Sequence, residues 1–371
     1  MKKVGIVGID LKCLSTLHGI DALNASGNNF GNMLFTNAAH EQIKFSERIG
    51  FVWNVEEVKD NYSSILIPAA NWLNAKNDWG DLASLIERTD LPCVIVGLGS
   101  QLDSLADVKD IPFGTKRLLK VISERSKSLG VRGEFTAEVV RACGVDNVEV
   151  LGCPSIFVSG TVPKIREIDL SAITRIGIGP TRYVLNAVND RNRNDKQRQL
   201  YQFAIREASS IYFQSESYEI KMLSRDVSIS DEENETAKEY YGCSSHNELS
   251  NLLMLKGKYH TDLSHWIADV RKDDIYIGTR IHGVIAATIA GTPAILITHD
   301  NRTKELADYM AVPNVSIDDF EMSALYDLPY LLSKMDYAKY LRRSDNNLKR
   351  LMSFYKLNGI ESNLYYDNGI K

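Results

Sequence analysis

Short apolar runs alternate along the chain with longer amphipathic segments, which predicts a fold in which strands and helices follow one another. In the first half, the apolar runs predict strands at residues 4–9, 64–68, 93–98, 128–132 and 148–151. Helical periodicity between them predicts helices at residues 32–49, 81–87, 115–125 and 134–142. Because a helix separates each strand from the next, we expect the strands to run parallel, as βαβ units require.

The second half repeats this pattern after an interruption at residues 159–167, which contain a Ser-Gly-Thr-Val-Pro segment. It predicts strands at residues 175–178, 211–214, 274–277 and 294–298, helices at residues 195–208, 261–270, 281–290 and 303–310, and a charged amphipathic helix at 337–355. We therefore expect an N-terminal α/β domain at residues 1–163 and a C-terminal α/β domain at 164–371 that includes this last helix. A ligand cleft is expected between them, at the carboxyl ends of the parallel strands.

Length and composition agree with a globular enzyme of two domains or of one large domain. The chain has 371 residues, of which 44% are hydrophobic and 25% charged. Its net charge of −5 argues against a broadly basic nucleic-acid-binding surface. The apolar run near the N-terminus is too short for a signal-peptide core, and no run approaches the ~18 apolar residues that span a bilayer. Five cysteines, an odd number without metal-ligand spacing, favour a reducing, cytoplasmic location and no metal site.

The glycine pattern does not predict a dinucleotide site. Gly97 and Gly99 follow a strand, but Leu102 stands where the third glycine of the dinucleotide-binding fingerprint belongs. The P-loop pattern is also absent from the sequence.

The strongest chemical signal lies at residues 273–284, where a predicted strand turns at Gly278 into an apolar helix. Arg280 and His282 are thus placed at a strand end and at a helix N-terminus, where the helix dipole and the cationic side chain both favour an anion. Arg280 can bind phosphate or carboxylate through two hydrogen bonds, and His282 can change its protonation state near neutral pH. A histidine at a helix start can also be a simple cap, but the Arg-x-His-Gly grouping favours a binding site.

Two further strand ends carry polar groups. Arg132 ends a predicted strand just before the helix that starts at Glu134, and a surface salt bridge between these two residues is the alternative to a ligand site. His299, Asp300 and Arg302 follow the strand at 294–298, where helix capping by Asp300 is the alternative to a functional cluster.

A Gly/Asn-rich segment at residues 27–32 runs into a predicted helix. Asn32 is expected to cap that helix, and Asn28, Asn29 and the backbone amides nearby could bind hydroxyl groups or an anion. A capping turn without a ligand explains the same pattern equally well.

Taken together, these segments resemble the polysaccharide pyruvyl transferase family. The resemblance runs from about residue 27 to 310 and rests on the order of several short motifs, of which Arg-x-His-Gly is the most specific. The matching segments are GNNFGN at 27–32, PAANWL at 68–73, VGLGSQ at 96–101, VRGEFT at 131–136, GCPS at 152–155, GTRIHG at 278–283 and TPAILITHD at 292–300.

The resemblance implies a GT-B-like arrangement of two facing Rossmann-like domains. It also implies transfer of the enolpyruvyl group of phosphoenolpyruvate onto two sugar hydroxyls to form a cyclic pyruvate ketal. By resemblance, Arg280, the backbone of Ile281 and His282 hold phosphoenolpyruvate, with help from Arg132. Many relatives have an aspartate at the position of Gly133, so the role of an acidic neighbour of Arg132 is open here.

The proposed chemistry matches these residue types. Phosphoenolpyruvate carries a carboxylate and a phosphate, which two or more arginines can bind. His282 is the expected acid that protonates its methylene carbon, and Asp300, Glu134 or Glu305 could deprotonate the sugar hydroxyl. No metal or organic cofactor is expected.

The acceptor is expected on the N-terminal side near Asn28, Asn29 and Asn32, with His299 and Arg302 as further substrate contacts. It would be a sugar of a capsule, exopolysaccharide or cell-wall precursor. A lipid-linked acceptor would bring the enzyme to the inner face of the membrane without an integral segment. Two other classes remain open: a GT-B glycosyltransferase that uses a nucleotide sugar, and a non-catalytic carbohydrate-binding relative.

Overall fold

A computed structural model describes residues 2–181 and 191–365 of the chain. Within these residues, parallel strands form a four-stranded and a two-stranded sheet in the first half of the sequence and a six-stranded sheet in the second. The strands of the first half are β1 (Lys3–Ile6), β2 (Ser46–Arg48), β3 (Tyr62–Pro68), β4 (Cys93–Val96), β5 (Leu129–Val131) and β6 (Val148–Val150). Those of the second half are β7 (Ile176–Gly179), β8 (Ser210–Tyr212), β9 (Gly257–Lys258), β10 (Ile275–Gly278), β11 (Ala294–Thr298) and β12 (Asn314–Ser316).

Strand order places the chemistry-bearing strand ends side by side. The first sheet has the order β2-β1-β3-β4, and a parallel bridge between Leu98 and Val131 joins it to the β5-β6 pair. The second has the order β12-β11-β10-β7-β8-β9, with every pair parallel. The carboxyl ends of β8, β10 and β11 therefore lie along one edge of the second sheet. The expectation of an α/β fold with parallel sheets is confirmed.

Helices connect the strands and cover the sheets. They are α1 (Leu11–Leu14), α2 (Gly19–Ala25), α3 (Asn32–Gln42), α4 (Val55–Asn61), α5 (Gly80–Thr89), α6 (Phe113–Arg125), α7 (Glu134–Ala142), α8 (Arg191–Glu207), α9 (Ser217–Leu223), α10 (Asp231–Tyr241), α11 (His246–Lys256), α12 (Leu263–Val270), α13 (Ile281–Ile289), α14 (Asn301–Met310), α15 (Leu328–Ser333) and α16 (Tyr337–Leu357). Among the described residues, none of these helices is long and apolar enough to cross a membrane.

Several element boundaries differ from the sequence-based expectation for local physical reasons. The helix predicted at residues 32–49 ends at Gln42, because Phe45 takes a left-handed backbone conformation (φ 52°) and the chain then enters β2. Strands β2, β9 and β12 are two or three residues long and contain half-buried or exposed positions, so they lack the continuous apolar run that predicts a buried strand.

The C-terminal end of the chain packs against the first half of the molecule. Helix α16, which matches the predicted C-terminal helix, brings the Tyr355 hydroxyl to donate a hydrogen bond to Gln42 Oε1 (3.0 Å). Beyond the helix, the Lys127 amide donates to Asn358 Oδ1 (2.8 Å), and Ser362 forms a bridge with Ile43. The division into residues 1–163 and 164–371 stays a prediction, and these contacts show that the end of the chain packs on the first sheet's half.

Candidate active site

A cleft of about 730 Å³ lies between the two halves, at the carboxyl ends of both sheets. Such a volume suits a small ligand with several fixed polar contacts. Predicted site residues from four separate segments line it: Asn28, Asn29, Asn32, Arg132, Arg280, Ile281, His282, His299, Asp300 and Arg302. The parallel register brings these segments together because each follows a strand end or precedes a helix start.

Arg280 is buried at the N-cap position of α13 and forms an ion pair with Glu216. The Arg280 Nη2 atom lies 2.5 Å from Glu216 Oε1, and Nε donates to the same oxygen at 3.2 Å. Burial works to raise the pKa of Glu216, but Arg280 and the Ser215 and Gln214 amides lower it below its ordinary value. Glu216 therefore stays ionised and holds the guanidinium at the cleft wall.

Arg132 is a buried cation held by neutral oxygens. Its Nε donates to the Gly97 carbonyl (2.8 Å), Nη1 to Asn71 Oδ1 (2.9 Å) and Nη2 to the Ala69 carbonyl (3.4 Å). The surface salt bridge to Glu134 considered from the sequence is not among these contacts. Burial lowers the pKa of Arg132, a sign that its charge is costly in this position. An anionic ligand would offset that cost.

His282 lies on the first turn of α13 and is buried beneath Phe35, with ring centroids 5.7 Å apart. Its Nε2 lies 3.8 Å from the sulfur of Cys153. Burial, with the charges of Arg132 and Arg280, lowers the pKa of His282 to about 3. The ring is therefore neutral at physiological pH while the cleft holds no anion.

The cluster after β11 is organised around Asp300. Its Oδ1 accepts a hydrogen bond from the Thr303 amide (2.8 Å) and so caps α14, while Oδ2 accepts from Arg302 Nε (2.9 Å). His299 Nε2 lies 3.6 Å from Asp300 Oδ2. Burial acts to raise the pKa of Asp300, but His299, Arg302 and the Thr303 amide lower it. Asp300 therefore both caps α14 and lines the cleft.

Two asparagine side chains of the Gly/Asn-rich loop form hydrogen bonds with the backbone of the loop or of the residue just before it. Asn29 Oδ1 accepts a hydrogen bond from the Gly31 amide (2.9 Å), and Asn32 Nδ2 donates to the Ser26 carbonyl (2.9 Å). Asn32 is the first residue of α3 rather than its cap, which corrects the capping prediction: Gly31 is the N-cap, with no side chain to offer. Asn28 adopts a left-handed conformation (φ 61°) at the cleft wall.

Glu134 is the predicted residue that the structure does not bring into the cleft. It is exposed at the start of α7, where its carboxylate complements the helix dipole. Its side chain is not among the residues that line the cleft, and its catalytic role stays a prediction.

A different carboxylate, that of Glu305, approaches the Arg132 segment from α14 in the other half. Its Oε1 accepts from the Thr136 amide (2.7 Å) and its Oε2 from the Thr136 hydroxyl (2.9 Å). A Cβ atom at residue 133 would lie 2.3 Å from Glu305 Cγ, so this contact requires glycine there. Burial raises the pKa of Glu305. Glu305, which the sequence offered only as a candidate base, thus ties the two halves together beside Arg132.

Three kinds of site residue went unnoticed in the sequence: one that holds a cleft residue in place and two that line the cleft. Glu216 pairs with Arg280, and the buried side-chain amide of Gln214 lines the cleft without a hydrogen-bond partner among the described residues. Both follow β8, so the strand-end rule that selected Arg280 would also have selected them. Aromatic side chains form the third kind and line the first half's wall: Phe51, Trp72 and Trp79. Within residues 2–181 and 191–365, no group of three His, Cys, Asp or Glu side chains could hold a metal ion.

The family model of polysaccharide pyruvyl transferase matches residues 18–301, about three quarters of the chain. The chain therefore belongs to the polysaccharide pyruvyl transferase family. No curated protein matches it.

Among solved structures, the chain is similar to a Listeria monocytogenes protein assigned as a UDP-N-acetylglucosamine 2-epimerase. The two are 12% identical, with a TM-score of 0.50 over 96% of this chain and 95% of that one. A co-structure of S. aureus MnaA with UDP is 11% identical, with a TM-score of 0.49 over 96% of this chain and 97% of that chain. At such identities the likeness concerns the fold alone, and the Listeria structure, with its TM-score of 0.50, confirms the GT-B-like arrangement.

Proposed function

We propose that this protein transfers the enolpyruvyl group of phosphoenolpyruvate onto two hydroxyls of a sugar, forming a pyruvate ketal. The observation that supports it most is the convergence of Arg132 from one half and Arg280 from the other on a buried, neutral His282. Two cations beside an uncharged histidine suit a small, highly charged anion. Membership of the polysaccharide pyruvyl transferase family supports the same reaction class.

Phosphoenolpyruvate binding is the first step of the proposal. Arg132 and Arg280 bind its carboxylate and phosphate, and the amides at the start of α13, including that of Ile281, add hydrogen-bond donors that have no partner within the helix. Arg302 extends this cationic wall along the edge of the second sheet, and His299, whose pKa burial lowers, is a neutral polar contact beside it. The ligand's negative charge then offsets the two arginines that lower the pKa of His282, so this pKa rises on binding.

Proton transfer and attack follow from that shift. Protonated His282 delivers its proton to the methylene carbon, which becomes the methyl group, and the adjacent carbon becomes an oxocarbenium-like centre. A sugar hydroxyl attacks this carbon and loses its proton to Asp300, the acidic candidate that lines the cleft. The C–O bond to phosphate breaks, a second hydroxyl closes the ketal, and inorganic phosphate leaves with the remaining proton. This reaction calls for no redox step and no organic cofactor.

The acceptor in this proposal is a sugar of a surface polysaccharide such as a capsule or exopolysaccharide, bound on the side of Asn28, Asn29 and Asn32. Phosphoenolpyruvate is a cytoplasmic metabolite, so the proposed enzyme works in the cytoplasm. A lipid-linked acceptor would place it at the inner face of the membrane by peripheral contact.

The test combines ligand binding with product analysis. We expect phosphoenolpyruvate to raise the melting temperature more than UDP or other nucleotides do, and Arg280→Ala to abolish this shift. Incubation with phosphoenolpyruvate and a panel of sugar acceptors should release inorganic phosphate and add the mass of a pyruvate ketal to one acceptor. Stabilisation by a nucleotide alone would overturn the proposal in favour of a nucleotide-sugar glycosyltransferase.

A further inference from the structure

The cleft has two ends with different chemistry. Its charged side chains come from the ends of β10 and β11, together with Arg132 from the first half. Apart from Arg132, the first half contributes only uncharged residues to the cleft wall. Within residues 2–181 and 191–365, the lining of this end offers a phosphate or carboxylate no cation besides Arg132, which favours a neutral group there.

Three aromatic rings form the wall of this neutral end, which we call the aromatic wall: Phe51, Trp72 and Trp79. Trp72 and Trp79 are stacked, with centroids 4.1 Å apart and an interplanar angle of 22°. Phe51 lies 6.2 Å from Trp79 and 6.3 Å from Trp72. Phe51 is 37% exposed whereas Trp72 is 8% exposed, so Phe51 is the ring that the cleft leaves most open.

Amide side chains flank these rings. Asn77 and Gln101 line the cleft, and their side chains make no hydrogen bond to the described residues. The carbonyl oxygen of Asn71 accepts from Arg132 Nη1 (2.9 Å), and its amide nitrogen remains able to donate to a ligand. Asn71 thus joins the neutral end directly to the arginine of the donor site. Together these amides offer both donors and acceptors, as hydroxyl groups require.

We propose that the aromatic wall is the acceptor subsite and that it binds an uncharged pyranose ring, whose C–H face packs on Phe51. This inference deepens the proposed function and rests on it, because only that function makes the bound sugar an acceptor. An aromatic face beside neutral amides matches a sugar, which has an apolar face and a rim of hydroxyls. A nucleotide also stacks, but among the described lining residues its phosphates would find only Arg132 as a cation near this end.

The test uses saturation-transfer NMR with methyl glucoside, methyl galactoside, methyl mannoside and uridine as probes of the full-length protein. We expect saturation of the ring protons of at least one glycoside. Phe51→Ala should weaken its binding about five- to tenfold, the range expected for losing one aromatic contact. Phe51→Tyr, which keeps the ring, should bind as the wild type does.

Phe113→Ala is the matched control, because Phe113 is an 82%-exposed aromatic residue of the same half that does not line the cleft. It should leave glycoside binding unchanged. The shift of melting temperature with phosphoenolpyruvate should be the same in all four proteins, which shows that the variants are folded and the donor site intact.

Three outcomes would overturn the assignment of the aromatic wall: no saturation of any glycoside, glycoside binding unaffected by Phe51→Ala, or preferential saturation of uridine. Glycoside binding that depends on Phe51, in a protein that phosphoenolpyruvate does not stabilise, would support the aromatic wall and refute the donor. The two proposals therefore fail in different ways.

Discussion

At the scale of single residues, the site is governed by how each charge is balanced. His282 is neutral because burial and, to a smaller extent, two arginines disfavour its proton, and an anion in the cleft would offset the contribution of the arginines. Arg280 has a buried carboxylate partner, whereas the described hydrogen bonds of Arg132 go to neutral oxygens. An anionic ligand therefore stabilises the charge of Arg132 more than that of Arg280.

The role of His282 leads to the first prediction. His282→Gln keeps a polar side chain of similar size but removes the transferable proton, so turnover should fall by about 10²–10⁴. Phosphoenolpyruvate should still raise the melting temperature, because the arginines remain. Phosphate release and thermal shift measure the two effects. His265→Gln, at an exposed position, is the control, and full activity of His282→Gln would refute the assigned role.

Glu216 leads to the second prediction. Glu216→Gln removes the negative charge that balances a buried guanidinium, which should reduce the free energy of unfolding by about 3 kcal/mol. Phosphoenolpyruvate can replace part of the lost charge, so its stabilising effect should be larger in the variant than in the wild type. Chemical denaturation with and without phosphoenolpyruvate measures both quantities. An equal or smaller ligand effect would show that Glu216 does not balance the charge at the donor site.

At the scale of elements, the site arises from two similar turns in which a strand ends, a cation follows and a helix begins. The turn between β10 and α13 places Arg280, and the turn between β5 and α7 places Arg132. The second turn is held by Glu305 of α14, which bonds to the first turn of α7 and packs against Gly133. Helix α7 of the first half and helix α14 of the second half therefore meet beside Arg132.

The third prediction tests this contact. Gly133→Ala would place its Cβ 2.3 Å from Glu305 Cγ and should destabilise the protein by about 1–3 kcal/mol. In a Glu305→Ala background the same change should cost much less, because the obstructing side chain is gone. A double-mutant cycle of unfolding free energies measures this coupling. Additive effects would show that residues 133 and 305 do not contact each other.

The raised pKa of Glu305 leads to the fourth prediction. The folded protein binds the Glu305 proton more tightly than the unfolded chain does, so this residue favours folding at low pH and loses that contribution as the pH rises from about 4.5 through its folded-state pKa. Glu305→Gln does not titrate, so its stability relative to the wild type should increase over the same pH range. Thermal unfolding of both proteins between pH 4 and 7 tests the sign. A relative stability that falls with pH would contradict it.

At the scale of the whole molecule, the cleft exists because two sheets face each other and the end of the chain couples their halves. Helix α16 and the residues after it pack back on the first half through Tyr355, Asn358 and Ser362. Glu305 adds a hydrogen-bonded contact between the two halves close to the cleft.

The fifth prediction concerns this coupling. A chain ending at Leu357 lacks the Asn358 and Ser362 contacts, so its two halves should unfold less cooperatively. Differential scanning calorimetry should show one transition for the full chain and a broadened or divided transition for the shortened one. Asn358→Ala, which removes the hydrogen bond to Lys127 of the first half and a local one to Phe354, should give a smaller effect. An unchanged single transition after truncation would show that the coupling lies elsewhere.

Local signals in the sequence were sufficient to predict the parallel α/β fold and the strand-end positions of Arg132, Arg280, His282 and Asp300. Apolar runs, helix periodicity and helix-start residues act over a few positions, so they can be recognised without knowing which strands are neighbours. The family motifs are short segments of the same local kind.

Only the tertiary structure decided which charges meet. Glu216 pairs with Arg280 64 positions away, and Glu305 reaches Thr136 across 169 positions. Glu134, two positions after Arg132, is exposed and does not line the cleft that Arg132 lines. These outcomes depend on strand order and on how the two halves face each other, which no local pattern encodes. The pKa of His282 follows from the same long-range arrangement, since the two arginines that lower it come from different sheets.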